Sequence, residues 1–391
     1  MSDDLPLSVA LDATALLDRP TGIGVYVGEL AGGLARRADV DVTAFAVSAR
    51  GRNRLGDVVP PDVRVRSRPV PARLARAVWL RSDRLTARWM AGPADVVHGP
   101  NYVVAPGGGA AEVVTVSDLS AVHFPEMCSP DVLQWPPLLL RALERGTWVH
   151  TICEWVAEEV REMHPRHAER ILAVPLGMRR PGPPTAGSDA ARGRRLAGGE
   201  RYVLALGTVE PRKDLPGLVA AFDRLADHDA DLRLVVAGPD GMGADALTAA
   251  RRAARHDRRI LRLGWVDDPD RLALLRGASV VAYASRYEGF GLVPLEALAA
   301  GTPVVATSVG AIPEVLGDAG LLVEPGDVES LSDGLGRLLT DPTLAADLVA
   351  RGQDRIDSHP WERTVDGLVD LYRRAAGDRR VRRPGRGRGP A

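Results

Sequence analysis

The sequence predicts an α/β protein made of two Rossmann-like, doubly wound domains facing each other across a cleft. Three observations predict it. The chain has 391 residues, more than one ordinary domain holds. Short apolar runs alternate with helix-period segments through both halves, the pattern of parallel sheets with crossover helices. Between the halves lies RRPGPPTAGSDAARGRRLAGGE, a stretch rich in Pro, Gly, Ala and Arg that reads as a linker over residues 179–200.

The elements follow in order. In the first domain, residues 1–178, apolar runs at 7–11, 40–47, 96–98, 113–116 and 149–152 read as buried parallel strands. Periodic segments at 25–37 and 155–163 read as helices between them. In the second domain, residues 201–358, the strands fall at 202–206, 232–237, 260–263, 280–283, 304–306 and 320–323. Two such sheets would bring the carboxyl ends of their strands to one cleft, where ligands of this architecture bind.

Composition narrows the function. Hydrophobic residues make up 45% and charged residues 26%, a globular balance. The formal net charge of −1 gives no reason to expect nucleic acid as a partner. The only cysteines, Cys128 and Cys153, have neither metal-ligand spacing nor a disulfide framework. The start, MSDDLPLSVALDATALL, carries acids where a secretory leader needs bases. No apolar run approaches the ~20 residues of a membrane span. A reducing cytoplasm is the expected setting.

The chemistry concentrates in RYEGFGLVPLEALAAGTPVV at 286–305. Gly289 and Gly291 let backbone approach a ligand. Pro294 suits a first helical turn and Gly301 a helix end. The free N–H groups of such a helix start attract phosphate. Glu288 precedes the turn and Glu296 lies inside the helix, so the two carboxylates can reach different parts of one ligand, a sugar and a ribose. Upstream, LALGTVEPRKD at 204–214 reads as a strand, a glycine turn at Gly207 and two adjacent cations. Arg212 offers a fork of donors and Lys213 a point charge, together suited to a diphosphate.

These stretches resemble the retaining GT-B glycosyltransferases of family 4, mannosyltransferase-like branch. The resemblance runs from TGIGVY at 21–26 to the helix near Trp361. It implies that Arg212, Lys213, Glu288 and Asp118 are catalytic. It places Gly22, Gly24, Gly207, Val266, Gly289, Phe290, Gly291, Leu292 and Glu296 around the donor. Glu288 would meet the sugar hydroxyls and Glu296 the ribose, while Val266, in GWVDD at 264–268, would lie near the base. In the first domain, His98 and Asn101 of HGPNY and Ser117 and His123 of TVSDLSAVHFP are expected to line the cleft. Two positions depart from the family pattern: Val25 replaces its usual Arg, and Ser117 replaces the His before Asp118.

The same resemblance implies hexosyl transfer with retention, without a metal or cofactor, and a helix over 359–376 crossing back to the first domain. A basic tail over 377–391 is expected to be disordered. GDP-mannose is the first expectation for the donor and a UDP-sugar the second. The acceptor would be a glycan, a lipid-linked glycan or a small molecule, as in cell-envelope polysaccharide synthesis. Two other readings stay open: a nucleotide-sugar epimerase, and an inactive sugar-nucleotide-binding protein, the latter motivated by Ser117. Arg64, Arg66, Arg68, Arg73, Arg76, Arg81, Arg84 and Arg88, with Trp79 and Trp89 among them, form either a solvated basic segment or a peripheral contact with anionic lipid at the plasma membrane.

Overall fold

The computed structural model describes residues 5–17, 22–178, 180–182 and 188–382. The chain divides into two compact units, Met1–Leu176 with Trp361–Ala391, and Gly177–Pro360. Each holds a parallel sheet.

In the first unit the strands are β1 (Leu7–Asp12), β2 (Val40–Phe45), β3 (Arg64–Val65), β4 (Val96–Gly99), β5 (Ala111–Val116), β6 (Trp148–Thr151) and β7 (Ile171–Ala173). Their spatial order is β3-β2-β1-β4-β5-β6-β7, so the winding reverses between β1 and β4. β4 and β5 are buried along their whole length, as near-continuous apolar runs require. The helix Gly22–Ala35 turns Tyr26, Val27, Leu30, Ala31 and Leu34 inward, the stripe of an amphipathic helix. β3 and β7 have no counterpart among the expected strands. β3 is two exposed residues, one of them charged, and β7 is three residues long.

The last helix, Trp361–Arg382, belongs to this first unit. Val365, Leu368, Val369, Tyr372 and Ala375 are buried in it. It runs past the expected end at 376. Residues 377–382, read from sequence as tail, continue the helix, where Arg379 donates to the Ala110 carbonyl and Asp378 lies 3.8 Å from Arg170. Residues 383–391 of the expected tail lie outside the described residues.

The second unit has β8 (Tyr202–Leu206), β9 (Arg233–Ala237), β10 (Ile260–Gly264), β11 (Val280–Tyr283), β12 (Val304–Thr307) and β13 (Leu321–Val323). The order β10-β9-β8-β11-β12-β13 is that of a dinucleotide-binding sheet, reversing between β8 and β11. Val203, Phe222, Leu234, Val280 and Leu335 join its strands and helices in one core. Among the described residues, no helix is long and apolar enough to cross a membrane.

The stretch expected as a linker is corrected in part. Ser188–Ala197 forms a helix packed on the helix Asp268–Gly277. Small residues that suggest a flexible linker here permit close approach. A Cβ at Gly193 would overlap the Ala273 carbonyl, and one at Gly277 would come 2.8 Å from the Ala190 carbonyl. Ion pairs Arg192–Asp270, at 2.6 Å, and Arg276–Asp189 frame the contact. Residues 179 and 183–187 of the same stretch lie outside the described residues.

Gly193→Ala is expected to destabilise the second unit by about 1–3 kcal/mol through overpacking, read as a lower urea midpoint. Gly56→Ala, on a helix where a Cβ meets nothing within 4 Å, should leave the midpoint unchanged or raise it slightly.

Candidate functional site

The carboxyl ends of β8 and β11 flank the reversal point of the second sheet, and the loops that leave them carry the expected cations and carboxylate. After β8, Gly207 adopts φ 117°, and a Cβ there would overlap the Lys213 ammonium. A single turn, Pro211–Lys213, then leads to Asp214 at φ 44°, whose carboxylate caps the helix Leu215–Leu225 by accepting from the Gly217 amide at 3.3 Å. The loop after β11 is tied to this turn. The Arg286 amide donates to the Arg212 carbonyl at 2.7 Å, and Arg286 Nε donates to Asp214 at 3.1 Å.

That seam brings together residues 76 positions apart: Arg212 Nη1 donates to Glu288 Oε2 at 2.7 Å. Arg212 Nε meets Glu210 at 2.9 Å. The Tyr283 hydroxyl donates to the same Glu288 oxygen at 2.6 Å and Ser285 approaches it at 3.4 Å. Glu288 is 9% exposed, yet among the described residues its Oε1 accepts no hydrogen bond and can take one from a ligand hydroxyl. Burial, then the Glu288 charge, holds the Tyr283 phenol well above its usual pKa, so it stays a donor. Burial, then the neighbouring Arg212, lowers the Lys213 pKa, a penalty that a bound diphosphate would relieve.

The helix Leu292–Ala300 begins after Gly291 at φ 96° and ends at Gly301 at φ 87°, as the sequence led one to expect. Phe290 is buried behind its start and Leu292 is half-buried. Glu296, inside the helix, pairs with Arg271 of the helix Asp268–Gly277. Burial raises the Glu296 pKa, and Arg271 works against that rise. Half-buried Val266 follows β10 directly, beside exposed Trp265. Tyr283, Ser285 and Arg271 were not anticipated. The one available signal was a tyrosine closing a strand at the reversal point.

The first-unit candidates fare differently. Gly22 and Gly24 lie in the first turn of the helix Gly22–Ala35, where a loop was expected, and Thr21 lies outside the described residues. Asn101 is exposed just beyond β4. The Ser117 hydroxyl donates to the Tyr102 hydroxyl at 2.7 Å. Asp118 accepts from the Ser120 amide at 2.9 Å and its hydroxyl at 2.7 Å, capping a short turn. His123 meets Glu159 at 2.8 Å on the unit's surface. Asp12, at the end of β1, accepts from the Thr14 amide and hydroxyl, and burial raises its pKa to about 6.

His98 does not line an open surface. It is fully buried, with Nδ1 2.7 Å from the Tyr372 hydroxyl and Nε2 2.8 Å from the Thr115 hydroxyl. Thr115 also meets His150 at 2.9 Å and Tyr26 at 3.1 Å, and His150 Nε2 meets the Val174 carbonyl at 3.0 Å. A strand-end histidine looked like a ligand contact, but one partner is Thr115 on neighbouring β5 and the other, Tyr372, arrives from a helix far along the chain.

Burial lowers both imidazole pKa values, His98 well below its ordinary value of 6.5 and His150 to about 4. Folded values below the unfolded one mean that the neutral forms favour the native state. Their contribution is complete above the unfolded value and is lost as pH falls from there through the folded values. The urea midpoint of the first unit should fall between about pH 7 and about pH 5, and His150→Gln should flatten that slope.

Comparison with known proteins agrees with this geometry. A model of glycosyl transferases group 1 matches residues 189–355, and one of a glycosyl transferase 4-like domain matches residues 21–177. O-antigen chain mannosyltransferase B of Escherichia coli is 30% identical over 284 residues, 71% of this chain and 74% of that protein. D-inositol 3-phosphate glycosyltransferase of Acidothermus cellulolyticus is 30% identical over 411 aligned positions, 92% of this chain and 87% of that one. The solved structure of sucrose-phosphate synthase from Thermosynechococcus elongatus shares the fold, with a TM-score of 0.72 at 21% identity over 95% of this chain and 100% of that chain. The class is thus a GT-B enzyme that takes a nucleotide-sugar donor. The chain belongs to the group 1 glycosyltransferases.

Proposed function

We propose that this glycosyltransferase moves mannose from GDP-mannose to a glycan or lipid-linked acceptor in cell-envelope polysaccharide synthesis, with retention and without a divalent metal. The observation that carries the reading is the meeting of Arg212 and Glu288 at the reversal point, with one carboxylate oxygen left open. The likeness to an O-antigen chain mannosyltransferase supports mannose as the sugar.

In this mechanism Glu288 Oε1 accepts from a sugar hydroxyl and Glu296 from the ribose. Arg212 and Lys213 face the diphosphate, supplying the countercharge a metal would otherwise provide. The bond between the anomeric carbon and the diphosphate oxygen breaks, leaving its electron pair on the nucleotide. The acceptor oxygen bonds to the same face of that carbon, and its proton passes to a leaving phosphate oxygen. The protein contributes position and field.

Thermal shift against GDP-mannose, GDP, UDP-glucose, UDP-GlcNAc and UDP tests this. GDP-mannose should stabilise the chain most, with or without EDTA. Arg212→Ala and Glu296→Ala should each weaken binding roughly 10- to 100-fold, the worth of a lost charged hydrogen bond. Gly207→Ala, by displacing the Lys213 ammonium, should weaken it in the same direction. A larger shift with a uridine nucleotide, or one abolished by EDTA, would overturn the donor or the metal-free reading respectively.

Peripheral contact with anionic lipid is part of the proposal, on a narrower surface than the arginine-rich segment suggests. Trp79 is buried, with its indole donating to the Leu85 carbonyl at 2.8 Å, so it does not face lipid. Leu74 is 57% and Trp89 45% exposed, and Arg68 lies 4.9 Å over the Trp89 ring. Anionic vesicles at low salt should float the chain, and Trp89→Ala with Leu74→Ser should reduce flotation.

A further inference from the structure

The first sheet has an open polar groove that the transfer reaction does not use. The register pairs Ser8 with Asp41, Ala10 with Thr43 and Thr43 with Arg64, which puts these side chains on one face of β1, β2 and β3. A parallel sheet in a doubly wound domain is normally covered by apolar contacts on both faces. Here the turn over 91–94 walls off a cavity of about 430 Å³ with Arg66 at its side, within the range of small-molecule sites. On β1 and β2 the lining runs from Ser8 to Ala10 and from Asp41 to Thr43, short of the carboxyl ends at Asp12 and Phe45.

The polar atoms divide into spent and available ones. The Ser8 hydroxyl donates to Asp95 at 2.7 Å, and Arg64 pairs with Asp41 through one nitrogen and one oxygen, which leaves further donors on Arg64 and the second oxygen of Asp41 available. The Arg66 guanidinium lies over Gly92, where a Cβ would come 2.5 Å from its Nη1. Among the described residues the Arg66 guanidinium has no ion-pair partner, and the Thr43 hydroxyl no hydrogen bond. An exposed guanidinium with an unused fork suits a phosphate, whose several oxygens can also reach Arg64. The Asp41 carboxylate can only accept, and Thr43 can donate or accept, so the rest of the ligand should carry hydroxyls.

We propose that this groove binds a small phosphorylated polyol, with the phosphate on Arg66 and Arg64 and the hydroxyls on Asp41 and Thr43. The phosphate can arrive on a soluble sugar phosphate or on an inositol lipid headgroup. This site is separate from the donor residues of the second unit and does not depend on the identity of the donor.

Calorimetry on the full chain tests it, in an Arg212→Gln background that weakens phosphate binding at the donor residues. Glucose 6-phosphate should bind saturably and glucose should not. Arg66→Gln should weaken binding at least about 10-fold, and Arg66→Lys, which keeps the charge and loses the fork, should fall between. Melting temperatures should be unchanged, because Arg66 has no partner to lose. Phosphatidylcholine vesicles with and without phosphatidylinositol form the second arm. Arg66-dependent binding to the inositol lipid alone assigns the phosphate to a headgroup; binding to glucose 6-phosphate alone assigns it to a soluble ligand. No saturable binding in either arm, or equal affinity in Arg66→Gln, would overturn the proposal.

Discussion

The ion pair between Arg212 and Glu288 is the contact on which the donor half of this molecule depends. A nearly buried carboxylate costs several kcal/mol unless it is paired and hydrogen-bonded. Glu288 meets both conditions on one oxygen, through Arg212 and Tyr283. The pair can form only because the loops after β8 and β11 are stitched by Arg286, which bonds the Arg212 carbonyl and the Asp214 carboxylate at once. Asp214 also caps the helix that follows, so the helix start, the cation and the carboxylate are one mechanical unit. Site geometry here follows from sheet order, since β8 and β11 are the adjacent strands at which the winding of this sheet reverses.

The electrostatics of the same cluster explain why it suits a transient negative charge. Arg212 is shared between Glu210 and Glu288, and Lys213 sits desolvated beside it with a lowered pKa. With two cations against two carboxylates, the cluster is close to neutral before a ligand arrives. A diphosphate would add negative charge beside Lys213 and offset the desolvation and the Arg212 repulsion that lower its pKa. Any growth of negative charge on the leaving phosphate would be met by donors already in place, the arrangement in which low dielectric favours catalysis.

The strands were legible in the sequence because buried parallel strands are short apolar runs, and those in the second unit fall within about a residue or two of expectation. Arg212 and Glu288 were legible because each sits in a dense local motif. Arg271 and Tyr283 were not, since their meaning lies in a partner on another element. Composition misled at 188–197, where glycine and alanine serve helix contact, and at 377–382, where Arg379 reaches the Ala110 carbonyl and Asp378 pairs with Arg170. Position misled at His98. A strand end usually faces ligand, but this one is capped by a helix nearly three hundred residues downstream, with Tyr372 274 positions away.

That return of the chain has a consequence for folding. The first unit cannot complete its core from its own contiguous residues. Val365 fills the space over Gly33, Thr364 donates to the Pro175 carbonyl at 2.8 Å, and Arg373 pairs with Asp39. The buried Tyr26–Thr115–His150–His98 network is closed only when Tyr372 arrives. Until residue 372 is made, His98 Nδ1 lacks the hydroxyl that meets it in the complete unit. The second unit, by contrast, is contiguous from Gly177 to Pro360 and can fold as soon as it is synthesised. The order of completion is therefore inverted relative to the order of synthesis: the half that begins the chain is the last to close, and it closes around residues 364–373 of the helix Trp361–Arg382.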